Sequence, residues 1–121
     1  LKNTITDIET LARLCAQAAA DKKAERIKIL DLRGISTFTD LFVVCSGTSD
    51  PQLKAISNGI QQTLREEAGV KPHAVDGFPS SHWIVLDYLD VVVHIFHESK
   101  RDFYGLEDLW SDAPEIEFEE S

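Results

Sequence analysis

Apolar residues recur along this chain with two different periods, and each period marks a kind of element. Over residues 6–20, Ile8, Leu11, Ala12, Cys15 and Ala18 fall on one helical stripe, and Thr6 with Glu9 three positions later can form a capping box. Residues 26–32 form a strand candidate, and 34–39 make a polar connection. Residues 41–45 are apolar at every position, as expected of a strand covered on both faces at the centre of a sheet. A turn at 46–50 leads into a long helix opened by Pro51 at a first helical position, with Ser49 or Asp50 as its cap. Leu53, Ile56, Ile60 and Leu64 mark the buried stripe of that helix, and Gly69 stands where a left-handed C-cap belongs. A short edge strand is expected within 70–75, because Pro72 cannot donate to a ladder.

After a loop at 76–82, residues 83–97 read as a long hairpin: two β-branched and aromatic runs flank a short acidic turn. An aromatic helix over 103–110 follows, for which Ser99 can serve as cap. On the first hairpin strand Trp83, Val85 and Asp87 share one face, and Ile84, Leu86 and Tyr88 share the other. Both faces are therefore apolar, and helices on one side alone would leave the second face to be covered by another chain. Trp and Tyr are enriched among the residues that dominate protein interfaces, which singles out Trp83, Tyr88 and Tyr104 as candidate contacts. The order of elements predicts one α/β domain: a mixed β-sheet with flanking helices.

Composition narrows the function classes. With 121 residues, 43% of them apolar, the chain is long enough for one core and too short for two domains. The formal charge is −9, from 21 acids against 12 Lys and Arg, and the bases are scattered apart from Lys22, Lys23, Arg26 and Lys28. Affinity for nucleic acid rests on clustered cations, so direct nucleic-acid specificity is not expected. An acidic surface instead favours a basic protein partner. No apolar run reaches the roughly 18 residues needed to span a bilayer, so no membrane association is expected. Cys15 and Cys45 sit at apolar positions without Cys-x-x-Cys spacing, as buried packing residues would in a reducing compartment.

Candidate chemistry is sparse. The turn Ser46-Gly47-Thr48-Ser49-Asp50 precedes a helix N-terminus, where backbone N–H groups can hold an anion, yet it has one glycine and no base and matches neither the dinucleotide fingerprint nor the P-loop. A tight turn with a helix cap is the simpler reading. His94 and His97 lie three apart in a strand and point to opposite faces, so they cannot chelate one metal ion without a bulge. Asp87 and Asp90 flank a turn, where acids are usually solvated. There is no Gly-x-Ser-x-Gly elbow to support a hydrolytic triad. No catalytic residue, cofactor or metal is expected.

Three separated strings carry a resemblance: Thr39-Asp40-Leu41-Phe42-Val43-Val44-Cys45-Ser46-Gly47-Thr48-Ser49-Asp50, the hairpin, and Phe103-Tyr104-Gly105-Leu106-Glu107-Asp108-Leu109-Trp110-Ser111-Asp112-Ala113-Pro114. Together they resemble the Iojap family, the bacterial ribosomal silencing factors. The likeness covers nearly the whole chain and implies a domain over 1–114, with 115–121 as an acidic C-terminal tail, flexible or loosely docked. It implies a topology similar to the nucleotidyltransferases without their paired metal-binding aspartates, a homodimer, and a cytoplasmic bacterial location, with an organellar source left open. Such proteins bind the large ribosomal subunit through ribosomal protein fourteen, sterically block subunit joining and repress translation under nutrient limitation. The family pattern implies contacts at Trp83, Asp87, Tyr88, Asp90, Tyr104 and Glu107. Two departures touch that surface: Leu89 stands in the hairpin turn where the family commonly has glycine, and Pro51 replaces a polar or basic residue. The alternative is a nucleotide-binding or nucleotidyltransferase-like enzyme using the 46–50 turn; its mark would be two carboxylates at alternate strand positions, and no Asp-x-Asp of that kind stands near the turn.

Overall fold

The computed structural model describes residues 7–77 and 82–120, the side chains of Phe103 and Tyr104 apart. Helix α1 (Ile8–Asp21) is followed by strands β1 (Glu25–Asp31) and β2 (Leu41–Gly47), then helix α2 (Asp50–Ala68) and strand β3 (Ala74–Asp76). The hairpin β4 (Trp83–Asp87) and β5 (Val91–His97) comes next, then short helices α3 (Glu98–Tyr104) and α4 (Leu106–Leu109), and a final strand β6 (Glu115–Ile116). These strands form one six-stranded sheet in the order β3-β4-β5-β2-β1-β6. β2 runs parallel to β5 and every other pairing is antiparallel, so the sheet is mixed as the element order predicts. No helix among the described residues is long and apolar enough to cross a membrane.

All seven residues of β2 are buried, because it lies inside the sheet with helices on one face and α4 on the other. α1 turns Leu11, Ala12, Cys15, Ala16 and Ala19 inward, and α2 turns Leu53, Ile56, Ile60 and Leu64 to the same core. Ser49 caps α2 by accepting from the Gln52 N–H at 3.2 Å, and Gly69 ends it at φ +71°, as the sequence indicates. Thr6 lies outside the described residues, and the cap of α1 is Asp7, whose carboxylate accepts from Glu9 N at 3.0 Å.

Three expectations change. The edge strand begins at Ala74 rather than near residue 70, its pairing led by the His73 N–H donating to the Asp87 carbonyl. The aromatic helix is two pieces broken at Gly105 (φ +64°), and its cap is the His97 ring, which accepts from Ser99 N at 3.2 Å; Ser99 itself is not the cap. In the C-terminal segment, Glu115 and Ile116 pair with Leu30 and Ile29, and Ile116 and Phe118 pack on the core. Finally, the second sheet face is not left wholly to another chain. Leu106, Trp110 and Ala113 cover Leu30, Leu32, Phe42, Val44 and Phe96, whereas Trp83, Val85 and Asp87 of β4 stay only partly buried.

Gly77 closes the approach to β4. At φ +94°, a Cβ there would overlap the Trp83 carbonyl oxygen, and backbone cannot retreat as a side-chain end can. Gly77→Ala is expected to lower stability by on the order of 2 kcal/mol or more, read as a fall in the urea unfolding midpoint.

Candidate partner-binding surface

Strand alternation decides which hairpin residues can meet a partner. Trp83, Val85 and Asp87 stand on the face away from α1 and α2, opposite Phe96, His94 and Val92 of β5. The Trp83 indole is held in place from two sides: Nε1 donates to His94 Nδ1 at 3.1 Å, and the ring stacks on Phe96 with centroids 5.0 Å apart. Phe42 meets His94 edge-on at 4.5 Å. Burial in this apolar nest pushes the His94 pKa down to about 4, so the ring is neutral and, accepting at Nδ1, carries its proton on Nε2.

Asp87 and Asp90 flank the turn. The Asp87 carboxylate accepts from Leu89 N at 2.8 Å, and the Asp90 side chain is exposed. Tyr88 behaves differently from the contact expected of it. Alternation carries it to the helix-side core at 8% exposure, where burial pushes its pKa up and its hydroxyl has no hydrogen-bond partner among the described residues. It is a core residue. Tyr104 ends α3, and its side chain lies outside those described.

Glu107 does not stand free to face a partner either. Its carboxylate accepts from Arg101 Nε at 2.8 Å and pairs with Lys28 at 3.3 Å and Arg26 at 3.9 Å. The Arg101 bond, opposed by partial burial and reinforced by Lys28, holds the Glu107 pKa below the usual carboxylate range. Arg101 is itself 2% exposed, and its Nη1 donates to the Arg26 carbonyl and, at 2.8 Å, to Ser46 Oγ. This group fastens α3 and α4 to β1 and β2. Nothing in the sequence marks it, since an arginine after a polar Ser-Lys pair reads as surface.

The 46–50 turn is filled by its own chain. Gln52 Oε1 accepts from Thr48 N at 2.6 Å, while Gln52 Nε2 donates to the carbonyls of Lys22 and Lys23, both at 3.1 Å. An anion would have to displace that amide, so the geometry is that of a braced helix cap. Among the described residues no group of three or more His, Cys, Asp and Glu side chains is placed to hold a metal. Cys15 and Cys45 are fully buried free thiols whose pKa values burial pushes up, to about 12 for Cys45, which leaves them unreactive packing groups.

A braced α/β domain with a half-open aromatic and acidic strand, and with its one anion-type turn occupied, defines a binding module. The family described as "Ribosomal silencing factor during starvation" matches residues 5–121. The ribosomal silencing factor of Halalkalibacterium halodurans is 39% identical over 111 residues, covering 92% of this chain and 94% of that one. That of Bacillus subtilis is 42% identical over 106 residues, covering 88% and 89%. A crystal structure of a Chromobacterium violaceum protein superposes with a TM-score of 0.83 at 32% identity, covering 96% of this chain and 95% of that one. The chain belongs to the ribosomal silencing factor family.

Proposed function

We propose that this protein binds the large ribosomal subunit through ribosomal protein fourteen and, by occupying that surface, blocks joining of the small subunit when nutrients are scarce. The observation that carries the reading is the strip on β4: a half-buried indole and Val85, with Asp87 and Asp90 beyond them. No Lys or Arg occurs anywhere in residues 72–99, so this part of the sheet presents apolar and acidic side chains without a Lys or Arg among them. Such a surface complements a basic protein and steers its approach. Trp83 fills an apolar depression on the partner, Asp87 and Asp90 face its lysines or arginines, and Tyr104 adds an aromatic contact at the end of α3. Glu107 acts by holding α4 in place. The free protein is a homodimer of the cytoplasm, and binding is steric, with no chemical step.

Co-sedimentation with isolated large subunits tests this, with small subunits as control and then as competitor. Stoichiometric binding to large subunits alone, with fewer joined ribosomes formed, is the expected result; protein left in the supernatant would overturn the reading. Trp83→Ala is expected to weaken binding by about thirtyfold, roughly 2 kcal/mol. A thermal melt of the variant confirms that it is folded.

A further inference from the structure

At the end of the sheet where β2 and β5 begin, two loops present apolar side chains to solvent. Phe38, in the connection between β1 and β2, is 93% exposed, and Leu89, at the tip of the β4–β5 turn, is 56% exposed. The loops are tied together: the N–H groups of Asp40 and Leu41 both donate to the Asp90 carbonyl at 3.0 Å. Leu89 also sits at φ +72°, a left-handed conformation that its Cβ disfavours and that glycine would adopt without strain. The turn keeps that conformation through the Leu89 N–H bond to Asp87 and the Tyr88 N–H bond to the Val91 carbonyl at 2.8 Å. An exposed leucine gains little from its own fold, so strain maintained beneath it points to a contact made outside the fold.

Charge says what kind of contact. Neither residues 34–53 nor residues 72–99 contain a Lys or Arg, while Asp40, Asp87 and Asp90 stand around the two tips. The nearest arginine in sequence, Arg33, is committed to Asp31 and Glu9, each at 2.8 Å. Apolar tips among carboxylates complement an apolar depression rimmed by Lys and Arg.

We propose that Phe38 and Leu89 are anchor residues extending the β4 surface across the turn, and that their occupant is a basic protein surface with an apolar hollow. The inference rests on the reading that the protein binds the large ribosomal subunit and names a further part of the same interface. Leu89 is an anchor particular to this chain, since a glycine in its place would relax the turn and present nothing.

The test is a sedimentation titration of the full chain with purified large subunits, comparing wild type, Phe38→Ser and Leu89→Gly, with thermal melts of each. Each variant is expected to raise Kd about tenfold, and Leu89→Gly to raise Tm at the same time by about 4 °C as the strain is released. Asp90→Asn should weaken binding further at low salt than at high salt. If wild type sediments with the subunit and both variants keep its Kd, the anchor proposal is overturned while the partner reading stands. If wild type does not sediment, the partner reading fails, and the proposal with it. If the variants weaken only self-association in analytical ultracentrifugation, the occupant is a second copy and the proposal is overturned.

Discussion

Arg101→Met is expected to lower the unfolding free energy by roughly 3 kcal/mol, the largest effect of any single side chain at the α3–β2 junction. The wild-type guanidinium is almost fully enclosed and connects Glu107, the Arg26 carbonyl and Ser46 Oγ across three elements. Removing it leaves the Ser46 hydroxyl and the Arg26 carbonyl without that donor, and Glu107 keeps only partly exposed Lys28 and Arg26. The cost comes mainly from stranding those groups, because a buried ion pair is a modest net stabiliser while a broken one is expensive. Arg101→Met combined with Glu107→Leu should therefore recover part of the loss, and a double-mutant cycle by urea unfolding measures how much. Equal losses for the double variant and the sum of the singles would mean that the two residues act independently. Because α4 supplies Leu106 to the second face, the single variant should also loosen the cover over Phe42 and Val44.

The second large effect is on pH. His94 is depressed to about 4 in the folded protein against an ordinary value near 6.5, so the unfolded chain binds a proton that the folded chain resists. Stability from this residue is fully present above pH 6.5 and is lost as the pH falls toward 4. The loss should reach about 2 kcal/mol by pH 5 and about 3 kcal/mol by pH 4. Asp7, Asp31 and Glu107, whose folded pKa values are lowered, add their own losses only at lower pH, so the window between 6.5 and 5 reports chiefly on the histidine. His94→Phe retains an aromatic ring and should flatten that slope, at the cost of the Trp83 hydrogen bond. An unchanged slope in the variant would assign the pH dependence to other groups. Protonation of His94 at Nδ1 also removes the acceptor that orients Trp83, so the proposed binding surface and the pH response share one ring.

The candidate surface was only partly legible in the sequence. Trp83, Asp87 and Asp90 stand out because a hairpin pattern with a wide aromatic and acidic content is local information. Tyr88 has the same composition and the opposite fate, since the strand period carries it into the core. Glu107 resembles any helix-surface acid, and only the approach of Arg101, Lys28 and Arg26 makes it a fastener. Leu89 was visible as a residue standing where the family commonly has glycine, and the backbone there is left-handed, at φ +72°.

The sequence by itself determined where β2, α2 and the hairpin lie, how α2 starts and stops, and that β2 is enclosed on both faces. These follow from periods, caps and turn residues that act within a few positions of one another. The tertiary structure alone decided that β6 closes the sheet beside β1, that α4 covers one half of the second face and leaves β4 half open, that Gln52 fills the anion-type turn, and that Arg101 is buried. Apart from the Thr48–Gln52 bond, each of these depends on pairs of groups separated by tens of residues along the chain. Their meeting is set by strand order and register, which no local pattern of apolar and polar residues encodes.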